Sequence, residues 1–152
     1  MNRIAKFYKV SESQFGRDGY DDIKLPCRAT SGSAGYDFFA PYDFTLGVGE
    51  EIVIDTGIRA QIADGWVLVI LPRSGSGFKY GVRLANTAGV IDSDYFNADN
   101  EGHIKIKLVG GNKPYEVKTG DAFAQGIFLP YGITEDDEVT KERHGGFGST
   151  GR

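Results

Sequence analysis

Short runs of β-branched and aromatic residues, each cut off by glycine, constrain this chain more than any other feature. Its 152 residues include 22 glycines, spread with no internal repeat or low-complexity pattern. No segment sustains the 3.6-residue apolar period of an amphipathic helix, and the best helical candidate is a single turn or so at Ser76–Tyr80. Strand material recurs instead. Ile4–Val10 alternates loosely, Glu51–Ile62 is broken at Gly57, and Lys113–Thr119 leads through Gly120-Asp121 into Ala122–Leu129. Trp66–Leu71 is a near-continuous apolar run, which predicts a strand buried on both faces. Ile104–Leu108 alternates cleanly, with Lys105 and Lys107 on the face away from the aliphatics. Ser11–Ile23 is polar, carries Gly16 and Gly19, and reads as loop. The pattern predicts an all-β antiparallel sandwich or barrel, a jelly roll among them.

Size and charge narrow the function. A chain of this length forms one domain with a sizeable core. A formal charge of -4 argues against nucleic acid as a partner, because no basic excess exists to neutralise phosphates along a duplex. A small anion needs only a local cluster of arginine and backbone N–H groups, and stays open. The lone cysteine, Cys27, excludes an internal disulfide and a multi-cysteine zinc site. No apolar run is long enough to span a bilayer, and the start lacks a secretory apolar core. The expected location is therefore cytoplasmic, or host-cytoplasmic if a phage encodes the chain. His103 and His144 lack a nucleophile partner and read as surface residues.

Four stretches could carry chemistry. Asn86-Thr87-Ala88-Gly89-Val90-Ile91-Asp92-Ser93-Asp94-Tyr95 runs from a polar loop into strand formers and ends on two carboxylates and a phenol. Asp92, at a strand end, can orient a water, accept a proton or hold a cation. The competing reading is an edge turn whose aspartates bond their own backbone. Arg73-Ser74-Gly75-Ser76-Gly77 offers a guanidinium, hydroxyls and close backbone approach, which suits an anion as well as a surface turn. On Ala122–Leu129, alternation puts the Gln125 amide on a face with Phe123 and Ile127, where it needs a partner. The tail, Gly146-Phe147-Gly148-Ser149-Thr150-Gly151, has glycines, hydroxyls and one ring. It matches a dinucleotide fingerprint in letters only, since no strand precedes it closely and no helix can follow.

Taken together and in order, five segments resemble the motifs of the trimeric dUTP diphosphatase (dUTPase) family. They are Ala34-Gly35-Tyr36-Asp37, Pro72-Arg73-Ser74-Gly75, Gly89 to Tyr95, Gly120-Asp121 through Ala124-Gln125, and Gly145 to Gly151. The resemblance implies an all-β, jelly-roll-like distorted barrel of the dUTPase β-clip type over residues 1–134. Residues 135–152 become an acidic linker and a flexible glycine-rich arm that closes an active site. It implies a homotrimer with sites at subunit contacts, and no nucleic-acid or membrane partner. The implied reaction turns dUTP and water into dUMP and pyrophosphate, which limits uracil in DNA and supplies dUMP. Mg²⁺ would be held by the triphosphate and waters, with no direct protein ligand.

By the same resemblance, Asp92 activates the water that attacks the α-phosphorus. Asn86, with the backbone of Gly89, Val90 and Ile91, reads the uracil edge, and Tyr95 packs beneath the deoxyribose. Arg73, Ser74, Gly75 and Gln125 hold phosphates, Asp37 buttresses the site, and Lys105 contacts substrate through its backbone. Arg143 takes the γ-phosphate, Phe147 stacks on uracil, and Gly148, Ser149 and Thr150 complete the arm's contacts. Two departures stand out. Phe96–Glu101 lengthens the turn after Tyr95, and only His144 separates Arg143 from the Gly-Gly pair. The alternatives are a dCTP deaminase of the same fold family and a nucleotide-binding jelly roll without turnover.

Overall fold

The structure, a computed structural model, describes residues 1–146. In chain order its elements begin with β1 (Ala5–Lys9), α1 (Glu12–Phe15), β2 (Cys27–Arg28), β3 (Tyr36–Phe39) and β4 (Phe44–Leu46). Next come β5 (Glu51–Asp55), β6 (Ile58–Ile62), β7 (Trp66–Pro72), α2 (Ser74–Tyr80) and β8 (Arg83–Leu84). Last are β9 (Gly89–Ile91), β10 (Lys105–Val109), β11 (Tyr115–Val117) and β12 (Ala122–Pro130). The fold is mostly β and jelly-roll-like, as the glycine-punctuated pattern predicts. One antiparallel sheet runs β2-β3-β12-β7-β9, a second β5-β10-β8, and two ribbons pair β1 with β6 and β4 with β11.

Alternation fills the core. Ile104, Ile106 and Leu108 are buried, while Lys105 and Lys107 leave the same segment on its other side and reach Asp55 and Glu51. Phe38, Phe123, Leu46, Ile54 and Leu68 close the interior, and Phe44 meets Phe123 edge-on at 5.8 Å.

Four expectations need correction. β7 is fully buried on one face only: Leu68 and Ile70 are covered, but Val67, Val69 and Leu71 stay half-buried. An apolar run therefore marked a strand whose second face this chain does not cover. On β12 a register shift between Ala122 and Ala124 interrupts alternation. Phe123 consequently turns into the core, while Gln125 lies opposite Leu71 and Asp37 on the half-buried side, with Ile127. Ser11–Ile23 is not simple loop. Ser11 caps α1 by accepting from the Gln14 N–H, and Phe15 and Ile23 are buried. His103 is not a surface residue either, being fully buried. Its Nε2 accepts from the Gly57 N–H at 2.9 Å, which leaves Nδ1–H facing Gln14 Oε1 at 3.2 Å. Burial, with Lys105 nearby, pushes its pKa down to about 4.

Candidate active site

β9 delivers the central carboxylate. Its pairing with β7 sets Ile91 opposite Leu68 and Gly89 opposite Ile70, and Asp92 follows directly with an extended backbone (φ −77°, ψ 157°). A 3-10 helix, Ser93–Asn97, then turns the chain away. Asp92 occupies the cap position of that helix without its side chain bonding the backbone. The simple-turn reading therefore does not account for the carboxylate. Instead Oδ2 accepts from Arg143 Nη2 at 2.7 Å, and Asp94 Oδ1 accepts from Arg143 Nε at 2.8 Å. The Arg143 side chain is 12% exposed and the Asp92 side chain 50%.

Tyr95 lies beneath. Its hydroxyl donates to the His103 carbonyl at 2.6 Å and accepts from Asn100 Nδ2 at 2.8 Å, and burial raises the phenol's pKa. The guanidinium of Arg143 sits 5.7 Å from the ring centre.

Beside β9 opens a cavity of about 380 Å³. Its lining is mainly apolar, with Ile70, Leu84, Ile91 and Ile106, and includes Asn86, Lys105 and Lys107. That mixture of apolar walls and few polar groups suits a small organic ligand. Thr87, next to Asn86, has φ 68°, a left-handed conformation that β-branched residues rarely adopt. Strain of this kind accumulates where a loop must hold a fixed shape.

A second cluster forms at the far end of β7. Arg73 Nε donates to Asp37 Oδ1 at 3.1 Å and Nη1 donates to the Ala122 carbonyl at 3.3 Å. Gln125 Nε2 donates to the Pro72 carbonyl at 3.0 Å. Ser74 and Gly75 are exposed on the first turn of α2.

The structure thus brings the sequence-derived residues together as two groups. Asn86, Gly89, Val90, Ile91 and Lys105 share the cavity, with Asp92, Tyr95 and Arg143 next to it. Asp37, Arg73 and Gln125 form the other group, with Ser74 and Gly75 alongside. Asp92 follows the partner of Leu68, so about six extended residues, roughly 20 Å of strand, separate it from Arg73 in one chain. Phe147, Gly148, Ser149 and Thr150 lie outside the described residues. Sequence reasoning missed Asp94 and Asn100 as partners of the site. Asp94 was signalled by its place two residues after Asp92, whereas Asn100 sits in a segment with no periodic pattern. Among the described residues, no group of three or more His, Cys, Asp or Glu could hold a metal ion. No helix among them is long and apolar enough to cross a membrane.

These features define an antiparallel β domain with a mainly apolar cavity, a strand-end carboxylate and a separate guanidinium cluster. The dUTPase family profile matches residues 21–151, and the chain belongs to that family. It is 39% identical to the deoxyuridine 5'-triphosphate nucleotidohydrolase of Haemophilus influenzae strain PittEE, over 95% of each chain. It is 40% identical to the enzyme of that name from Lactococcus lactis, over 85% of this chain and 89% of the other. Among solved structures, a dUTPase from Streptococcus mutans superposes with a TM-score of 0.71 at 30% identity, covering 85% of this chain and 98% of that one. A dUTPase of phage phi11 of S. aureus, described with a structural Mg(II) ion, shares the fold at 20% identity and a TM-score of 0.68, over 91% of this chain and 98% of that one.

Proposed function

We propose that this chain hydrolyses dUTP to dUMP and pyrophosphate, with Asp92 as the base that activates water. The observation that carries the reading is a carboxylate held at a strand end, unused by its own backbone, one residue beyond a cavity-lining isoleucine. Asn86 and the backbone of Gly89, Val90 and Ile91 take the uracil edge, Lys105 lends its backbone, and the Tyr95 ring carries the deoxyribose. A ribose 2′-OH would meet that ring. Asp92 aligns a water behind the α-phosphorus and takes its proton, so pyrophosphate departs in line.

Arg73, Ser74, Gly75 and Gln125 hold phosphate oxygens, braced by Asp37. Since roughly 20 Å of strand separates Arg73 from Asp92, one chain does not close a site around one nucleotide. The half-buried apolar face of Val67, Val69, Leu71 and Ile127, with Leu129 exposed, favours assembly with further copies, and a homotrimer joins one copy's Asp92 end to another's Arg73 end. Residues 135–152 form the arm. Arg143 exchanges the two aspartates for the γ-phosphate on substrate binding, which releases Asp92 for the water. Phe147 covers the uracil, and Gly148, Ser149 and Thr150 reach the phosphates.

With Asp92 reserved for the water, Asp94 alone is a sparse donor set, which suits Mg²⁺ carried on the triphosphate better than a protein-bound ion. Bound there, Mg²⁺ neutralises phosphate charge. The activity belongs in the cytoplasm, or in the host cytoplasm if a phage encodes the chain. Nothing in the site favours dCTP deamination or binding without turnover. Pyrophosphate release, measured over all deoxynucleoside triphosphates with and without a chelator, tests the proposal. Release confined to dUTP and stopped by the chelator is expected; ammonia from dCTP, or no turnover at all, would refute it.

A further inference from the structure

The segment that lengthens the turn after Tyr95 is a built feature. Ala98 is buried, and Arg59 lies 3.7 Å from the Phe96 ring centre while its Nη2 donates to the Phe96 carbonyl at 2.7 Å. Glu101 and Gly102 both adopt left-handed backbone, at φ 61° and 69°. Only glycine suits position 102, because a Cβ there would lie 2.5 Å from the Tyr95 carbonyl oxygen. The Glu101 carboxylate points away from the site and accepts from the Ser11 N–H and hydroxyl.

Asn100 faces the other way. Its Oδ1 accepts from the Gly102 N–H at 3.2 Å, and its Nδ2 donates to the Tyr95 hydroxyl at 2.8 Å. The same Nδ2 would be 3.1 Å from a Cβ placed on Gly146, so amide and arm are in close approach. Next to it, the Asp99 N–H donates to the His144 carbonyl at 2.9 Å. One short segment therefore touches the Tyr95 ring system and the stretch bearing Arg143 together.

We propose that Asn100 is a positioning residue for the nucleotide site, setting the Tyr95 ring and seating residues 143–146 against it. The proposal rests on the dUTP reading above. Loss of the Asn100 donor lets the ring tilt, which weakens the platform under the sugar and the discrimination against a 2′-OH. It also loosens the arm stretch that shields Arg143.

Asn100→Ala and Glu101→Ala, compared with the unmodified chain, test it by hydrolysis of dUTP and UTP and by tryptic cleavage after Arg143. Asn100→Ala is expected to raise KM for dUTP about tenfold, the worth of one well-placed hydrogen bond, with kcat within about twofold. The preference for dUTP over UTP narrows by a similar factor, and cleavage after Arg143 speeds up several-fold. Glu101→Ala, altered in the same segment but on its far side, lowers Tm and leaves all three readouts unchanged. An Asn100→Ala protein with normal KM and normal preference overturns the inference and leaves dUTP hydrolysis standing. If the unmodified chain hydrolyses no nucleotide, the functional reading fails instead. The tryptic rate then decides whether Asn100 seats the arm, and an unchanged rate overturns that too.

Discussion

The two ends of β7 carry the two halves of the proposed site, and they are assembled by different means. At the Asp92 end the backbone is shaped locally, by a strand of three residues, a 3-10 helix, and an inserted turn with consecutive left-handed residues, while Arg143 reaches the carboxylates from far along the chain. At the Arg73 end the contacts are long-range. Asp37 meets Gln125 across β3 and β12, Gln125 bonds the Pro72 carbonyl, and Arg73 bonds Asp37 and the Ala122 carbonyl. A general base must keep its carboxylate away from backbone donors, and a short strand ending in a tight turn does that. A phosphate-binding guanidinium gains from being held rigid, and three paired strands supply the bracing.

Removing the proposed base gives the largest expected effect. Asp92→Asn keeps size and shape but takes no proton, so kcat for dUTP should fall about a thousandfold while binding persists. Turnover within a few-fold of the unmodified chain would show that the Asp92 end holds no chemistry. The division between ends is tested more sharply by mixing. Arg73→Ala should lower kcat/KM about a hundredfold, through loss of a charged phosphate contact. Co-refolding it with Asp92→Asn restores activity at about a quarter of the sites, if each site takes its aspartate from one copy and its arginine from another. Recovery of nothing would mean that each chain supplies both halves of its own site.

How much of this was legible in the sequence follows the same division. The Asp92 stretch is contiguous, so strand, carboxylates and tyrosine could be read in order from Gly89 to Tyr95. The Arg73 end was legible only as separate motifs, because strand register, not sequence distance, sets Asp37 opposite Gln125. The register shift that turns Phe123 inward leaves no mark in the alternation of Ala122–Leu129, and so Gln125 was wrongly grouped with Phe123, while Ile127 does share its side. Ser11-Glu12-Ser13-Gln14 carried a legible helix-start spacing that its polar surroundings masked. His103 had no such signal, since its burial depends on Gly57 and Gln14, far away in the chain.

Acid should separate the two ends. In the fold His103 stays neutral down to about pH 4, whereas the unfolded imidazole takes its proton near 6.5. Between those values the unfolded state binds the additional proton, so stability falls as pH drops through that window and is independent of this group above it. The loss is about 3 kcal/mol at the lower limit. Because the His103 carbonyl receives the Tyr95 hydroxyl, the Asp92 end loosens with it. Urea unfolding at pH 7 and pH 4.5 should show the drop, and His103→Gln should remove most of it. An equal drop in that variant would assign the acid sensitivity elsewhere.

The smallest expected effect belongs to the other end. Gly35 has ordinary backbone angles, yet a Cβ there would lie 2.5 Å from Gln125 Oε1. The obstacle is the tip of a flexible side chain, so Gly35→Ala displaces the amide and leaves the backbone where it is. The added methyl also restricts the unfolded chain, which offsets part of the lost Gln125–Pro72 bond and keeps Tm within about 3 °C. What changes is the placement of the amide proposed to hold phosphate. KM for dUTP should rise about threefold with kcat nearly constant, the pattern of a contact made equally in ground and transition states. A fall in kcat with KM unchanged would instead tie Gln125 to the chemical step and erase the boundary between the binding end and the reacting end.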